Sequence, residues 1–90
     1  MSGARRLDAD TRALLLQIAA RLTAERPQHP MRESLRQALA LTFAARRHGY
    51  GTERAAAAEE RILGHAPVVE VGATRRQYAQ QLLDAAGGAQ

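Results

Sequence analysis

The sequence predicts an all-α protein, a small bundle of three to four helices built on an antiparallel helical hairpin. Two observations support this fold class. Apolar residues recur at helical spacing through most of the chain. Proline and glycine clusters interrupt the pattern at Pro27–Pro30, Gly49–Gly51 and Gly64–Gly72. Ninety residues fit one domain, so we expect a single domain over 8–86 between flexible tails at 1–7 and 87–90.

The first helix is expected over residues 8–26. Asp8 or Asp10 can cap it, since an aspartate side chain accepts from the free N–H groups of a first turn. Its core face is predicted to contain Leu7, Thr11, Leu14, Leu15, Ile18 and Leu22. Leu16 lies off this face among Ala9, Ala13, Ala20 and Thr23. That second face is either a close helix contact or an ordinary exposed surface.

The second helix is expected over residues 30–48, because proline suits a first helical position and Gly49 suits the position after the last. Met31, Leu35, Ala38, Leu39, Thr42 and Ala45 are predicted to form its buried face. Arg32, Arg36 and Arg47 lie along one flank of that face, with Phe43 among them. The short connection at Pro27–Pro30 predicts an antiparallel hairpin with the first helix.

Two shorter helices complete the prediction. Thr52 follows the turn at Gly49–Gly51 and can cap a third helix over 53–63, whose apolar face contains Ala55, Ala58, Ile62 and Leu63. Thr74 and Gln77 have the spacing of a capping box and predict a fourth helix over 74–86. Its apolar face contains Tyr78, Leu82, Ala85 and Ala86, with Ala79 and Leu83 beside them.

A short extended segment, Pro67–Val71, precedes the last helix. It holds three valines around Glu70, a composition typical of a strand, but the chain offers this segment no second strand. It is either a connector lying on the core or one half of a two-chain ribbon. We expect a homodimer, because few aromatic residues are available to stabilise a monomer. The candidate interface residues are Val68, Val69 and Val71, or Leu16 if helices form the contact.

The residue types argue against an enzyme. There is no cysteine, and His29, His48 and His65 lack the spacing of a metal site. No pocket is implied around the paired carboxylates, and no glycine-rich phosphate loop is present. We therefore predict no catalytic residues, metal or cofactor. No apolar run suggests a signal peptide or a membrane span, so we expect a cytoplasmic protein without a membrane partner.

The distribution of charge gives the strongest functional indication. All 13 basic residues are arginine, and the net charge is +4. Residues 1–50 hold nine arginines and four acids, a balance of +5, whereas residues 51–90 hold four arginines and five acids, a balance of −1. Guanidinium groups bind phosphates well. A genome rich in arginine codons, or a merely solvated charged surface, would give the same composition.

We therefore expect a small nucleic-acid-binding or regulatory accessory protein that contacts phosphates through an arginine-rich helix flank, with DNA favoured over RNA. The free N–H groups at the start of the fourth helix would add to an anion site. The alternative is a helical protein–protein interaction module, a homodimer or an adaptor, without a nucleic-acid role. The predicted nucleic-acid-binding residues are Arg32, Arg36, Arg46, Arg47, Arg75 and Arg76.

Overall fold

The computed structural model describes residues 7–87, which form four helices. They are α1 (Ala9–Ala24), α2 (Glu33–His48), α3 (Glu53–His65) and α4 (Arg75–Gly87). The all-α prediction is confirmed, and within residues 7–87 there is no strand longer than an isolated bridge. The predicted tails lie outside the described residues except at their inner ends. Leu7 packs against the core, and Gly87 ends α4.

Side-chain caps set three of the helix starts, as predicted. Asp8 Oδ1 accepts from the backbone N–H of Thr11 at 2.7 Å, and this hydrogen bond lowers the pKa of the Asp8 carboxyl below its ordinary value. Thr52 caps α3 in the same way. At α4, Thr74 Oγ1 accepts from the backbone N–H of Gln77 at 3.1 Å, and Gln77 Oε1 accepts from the backbone N–H of Thr74 at 2.8 Å, which completes the capping box.

The start of α2 differs from the prediction. Pro30 does not begin the helix, because it lies in an antiparallel bridge with Thr74. The backbone N–H of Met31 donates to the carbonyl of Ala73 at 2.8 Å. The helix therefore begins at Glu33, three residues later than expected. Proline is compatible with a first helical turn, but here a distant segment of the chain holds the backbone in an extended conformation.

The helices that pack together also differ from those predicted. α1 packs most extensively against α4, and α2 against α3, whereas α1 and α2 make a smaller contact. The connection over residues 49–52 is short, and Arg36 near the start of α2 reaches Leu63 near the end of α3. The antiparallel hairpin is therefore α2–α3 rather than the predicted pairing of the first two helices. Residues 25–32 connect α1 to α2, and on the way they form hydrogen bonds with the start of α4.

The buried face of α2 agrees with the expected one only in part. Leu39 and Ala45 are buried as predicted, and Leu35 and Thr42 are half-buried, but Ala38 is exposed. Ala40, Phe43 and Ala44, which were not predicted, are also buried. Phe43 removes far more apolar area from water than a threonine or alanine does, so its side of the helix turns inward. The predicted arginine flank is on that side. Part of it consequently faces the interior of the bundle.

All four helices contribute buried side chains to one core. Its largest fully buried side chains are Tyr78, Leu14, Leu15, Ile62, Leu82 and Thr11. The Tyr78 hydroxyl donates to the carbonyl of Pro67 at 2.6 Å and so ties the extended segment to α4. Burial raises the pKa of the Tyr78 phenol above its ordinary value of 10.0, although the nearby Arg36 charge opposes this shift. The phenol therefore remains a hydrogen-bond donor at neutral pH.

A comparison of two leucines tests this packing. Leu14→Ala should lower the free energy of unfolding by about 2–5 kcal/mol, because it leaves a cavity at a side chain that is only 1% exposed. Leu41→Ala, the matched control, removes the same atoms from a side chain that is 51% exposed and should change it by less than about 0.5 kcal/mol. Urea denaturation measures both. Equal losses would mean that the inner face of α1 is wrongly assigned.

Candidate functional site

The guanidinium group of Arg36 binds other parts of the protein and is largely shielded from solvent. Its Nη2 donates to the carbonyls of Leu63 and Ala66 at 2.8 and 3.2 Å, and its Nη1 bonds the Glu33 carboxylate at 2.8 Å. Only 15% of its side chain is exposed. Cations stabilise the carboxyl end of a helix, where backbone carbonyls lack partners. Arg36 therefore caps the end of α3 and is poorly placed to bind a phosphate.

Arg47 lies in a charged cluster that joins three helices. Its Nε contacts Asp10 of α1, and His48 Nε2 donates to the other oxygen of the same carboxylate at 2.9 Å. Arg61 of α3 approaches Asp8 at 3.4 Å and Asp10 at 3.8 Å. With acidic partners this close, Arg47 and Arg61 mainly hold the start of α1 against α2 and α3.

Arg46 lies on the face of an aromatic ring. Its guanidinium carbon is 5.6 Å from the centroid of the Phe43 ring, and that of Arg21 is 5.5 Å from the same centroid. Arg21 also contacts Glu25 at 3.5 Å. Among residues 7–87 no acidic side chain pairs with Arg46, and it is exposed. Stacking on Phe43 therefore positions Arg46 without neutralising it.

The remaining three predicted arginines are gathered at one end of the bundle. The backbone N–H groups of Arg75 and Arg76 donate to the carbonyls of His29 and Pro27, at 2.8 and 2.9 Å. Arg32 follows Met31, which pairs with Ala73. These bonds bring together the end of α1 and the starts of α2 and α4. We call this region, with the side chains of Arg26, Arg32, Arg75 and Arg76, the basic end.

Arg26 was missed by the sequence analysis. It follows α1 with a φ of 50°, in the left-handed region that a non-glycine residue seldom occupies. It lines a shallow depression together with Arg75, Ala24 and Glu25. The Nε of Arg75 is buried and has no hydrogen-bond partner among residues 7–87. No local signal identifies Arg26, because its neighbours at the basic end come from a pairing distant in sequence.

No ion pair forms at the basic end among residues 7–87, although Glu25 lines the same depression as Arg26 and Arg75. Within residues 7–87, no carboxylate oxygen lies within 4.0 Å of Arg26, Arg32, Arg75 or Arg76. The acids nearest in sequence are engaged elsewhere, Glu25 with Arg21 and Glu33 with Arg36 and Gln37. The first backbone N–H groups of α4 are also taken by protein acceptors. Side chains, not the free backbone groups we expected, must therefore supply any anion contact here.

The predicted interface residues divide into two kinds. Val68 is 79% exposed, and Val71 is fully exposed. Val69 is half-buried and packs against the core, so it holds the extended segment in place. Leu16 is exposed on α1. Over residues 68–72 the only backbone hydrogen bond made within the described chain is from Ala73 to the Glu70 carbonyl, which closes a turn at Val71 and Gly72. The predicted extended segment therefore ends at Glu70 rather than Val71, and residues 68–70 keep an unpaired extended edge.

In residues 7–87, no group of three or more histidine or acidic side chains is placed to hold a metal ion. None of the described helices has the length and apolar character needed to cross a bilayer. No protein-family model, curated protein or solved structure matches the chain in these comparisons.

Two arginine substitutions distinguish an arginine that stabilises the fold from one whose side chain makes no ion pair among residues 7–87. Arg36→Ala should lower the free energy of unfolding by about 1.5–3 kcal/mol, because it removes charged hydrogen bonds to carbonyls at the end of α3. Arg32→Ala should change it by less than about 0.5 kcal/mol, since that side chain is exposed and unpaired. Denaturant unfolding of both variants is the measurement. A stable Arg36→Ala variant would show that Arg36 does not cap α3.

Proposed function

We propose that this chain is a small cytoplasmic nucleic-acid-binding or regulatory accessory protein whose phosphate contacts come from the basic end. One observation carries the proposal. Backbone pairing between residues 27–31 and 73–76 brings together four arginines that have no acidic partner in the described chain. Like charges are costly to hold together, so a cluster of this kind favours an anionic ligand.

The chemistry of the cluster suits phosphate. A guanidinium group can donate two parallel hydrogen bonds to a phosphate, and it stays charged at all physiological pH values. Both α2 and α4 begin at this end, so the positive ends of two helix dipoles add to the field of the arginines. The proposed contacts are thus Arg26, Arg32, Arg75 and Arg76, with Arg46 further along α2.

This set revises the arginines expected from the sequence. Arg36 and Arg47 are left out because Glu33 and Asp10 already pair with them. Arg26 is added. Contacts of this kind bind phosphates without reading bases, so we expect affinity for DNA of any sequence before any preference appears. Duplex DNA is accordingly the first ligand to test.

The proposal predicts a specific salt dependence. Affinity for a short DNA duplex should fall with a log–log slope near −0.9 for each phosphate neutralised, giving roughly −3 to −4 for four arginines. Arg32→Ala and Arg76→Ala should each make the slope shallower by about 0.9 and weaken binding equally on unrelated sequences. Fluorescence anisotropy between 50 and 200 mM salt, about the range over which such contacts respond, measures both effects.

Arg12→Ala is the matched control. Arg12 is also exposed and has no acidic partner among the described residues, but it lies in the first turn of α1, away from the basic end. Its removal changes the net charge equally and should leave the slope near its original value. If all three variants behave alike, the net charge rather than the basic end determines binding. If the protein binds no nucleic acid tighter than about 100 µM at low salt, the proposal fails.

A second candidate function, that of a homodimeric interaction module, is favoured by the unpaired extended edge over residues 68–70, where Val68 is exposed. An extended segment with unpaired N–H and C=O groups can accept another strand. In an antiparallel pair centred on Val69, each Glu70 would lie opposite a Val68 rather than opposite the other Glu70, which avoids direct charge repulsion. We propose that two copies of the chain pair in this way.

Substitution of Val68 tests the dimer. Val68→Arg should convert a dimer into a monomer in light scattering, because it places charge on the contact surface without disturbing the core. Leu41→Arg adds the same charge at another exposed apolar position and should leave the dimer intact. A wild-type monomer at tens of micromolar would end the proposal. Dissociation by Leu16→Arg alone would move the interface to α1.

A further inference from the structure

Tyr50 is an aromatic residue without a role in the fold. It lies in the turn between α2 and α3, and 72% of its surface is exposed. Its hydroxyl makes no hydrogen bond within residues 7–87, whereas the other tyrosine, Tyr78, is buried and bonded. The chain contains only three aromatic residues. Packing in the core does not account for Tyr50, so its exposed ring is a candidate for binding a ligand.

The turn that carries Tyr50 is firmly held. The N–H of Gly49 donates to the carbonyl of Ala45 at 2.7 Å, and Thr52 Oγ1 donates to the carbonyls of His48 and Gly49 at 3.0 and 2.9 Å. Gly49 and Gly51 have φ values of 101° and 77°, in the left-handed region that favours glycine. The aromatic ring is therefore presented on an ordered turn, at little entropic cost to a ligand.

Two arginines flank this ring in sequence at equal spacing. Arg46 is four residues before Tyr50, on the last turn of α2, and Arg54 is four residues after it, on the first turn of α3. Both are exposed, and neither pairs with an acid among the described residues. Glu53 is the acidic residue closest in sequence. The Tyr50 turn thus joins two helix ends that each carry an unpaired arginine, and an exposed aromatic ring near cationic side chains is a combination that binds single-stranded nucleic acid, through base stacking and phosphate contacts.

We propose that Tyr50 stacks on an unpaired base, and that the ligand is a single strand or carries unpaired nucleotides. This inference rests on the proposed nucleic-acid function and names the class of ligand. Bases inside a duplex are covered by their neighbours and cannot reach a tyrosine ring. Arg46 and Arg54 would hold the phosphates on either side of the stacked base.

The position of Tyr50 also relates it to the basic end. Arg32 and Arg46 lie on the same edge of α2, about 21 Å apart along its axis. The guanidinium group of Arg21 lies beside that edge, on the Phe43 ring. A single strand bound at the basic end can follow these arginines to the Tyr50 turn. Both regions would then contact one ligand.

The test compares three variants on matched ligands. Wild type, Tyr50→Phe and Tyr50→Leu are titrated with a single strand of about 16 nucleotides, the corresponding duplex, and an abasic strand of equal length. Tyr50→Leu should bind the single strand at least about fivefold more weakly, the low end of the effect of losing one stacked base. Tyr50→Phe should bind like wild type. Neither variant should change affinity for the duplex or the abasic strand.

Tyrosine emission gives a direct readout of stacking. The chain has no tryptophan and only two tyrosines. A base stacked on Tyr50 should quench part of the wild-type emission, and the abasic strand should not. Equal affinities of wild type and Tyr50→Leu, with no quenching, would overturn the inference while leaving the proposed function standing. Absence of binding to any strand would overturn both. A change of oligomeric state in Tyr50→Leu would overturn it as well, by making the ring a protein contact.

Discussion

The pairing of residues 27–31 with residues 73–76 is the constraint on which the architecture depends. Residues 27–31 are not helical, whereas residues 73–76 run into the first turn of α4, and Met31 and Ala73 are buried where the two segments meet. Buried backbone groups must find hydrogen-bond partners, and each segment supplies those of the other. This pairing fixes the end of α1 and the starts of α2 and α4. It also determines that α4, rather than α2, is the main partner of α1.

The orientation of α2 depends on a buried guanidinium. Placing Arg36 against α3 removes a charge from water, which is unfavourable unless its hydrogen bonds are replaced. Two carbonyls at the negative end of α3 and the Glu33 carboxylate replace those of its Nη1 and Nη2, while its Nε is buried without a partner among residues 7–87. The arrangement lets Phe43 turn into the core on the same side of the helix. A basic residue on this face therefore stabilises the bundle instead of marking a binding surface.

Much of the fold was predictable because its determinants are local. The caps at Asp8, Thr52 and Thr74, and the glycine turn after α2, each depend on residues within four positions of one another. The rotation of α2 was not predictable in this way. Alanine and threonine define an apolar stripe only weakly, and the partner carbonyls of Arg36 are contributed by residues about 30 positions away.

The candidate site was predictable in part for the same reason. Arg32, Arg75 and Arg76 were identified as basic residues near helix starts, but their assembly at one end follows from a pairing that no local pattern indicates. The helical spacing that grouped Arg36 and Arg47 with Arg32 was a real property of α2. It did not indicate which of these side chains lack partners, because Arg47 contacts α1 and Arg36 contacts α3 on that side of the helix. Arg26 belongs to the basic end only through its position beside Arg75.

At the basic end, backbone groups hold the segments together, while the arginine side chains make no ion pair among residues 7–87. Backbone hydrogen bonds bring the arginines together, so the fold does not require the guanidinium groups to attract one another. Their mutual repulsion instead raises the free energy of the ligand-free state. An anion that neutralises them would relieve this repulsion, and one that binds the folded chain in preference to the unfolded chain would stabilise the domain by mass action. A domain of this size buries a modest share of its surface, so for the nucleic-acid ligand that we propose, binding and folding are coupled at the same end of the molecule.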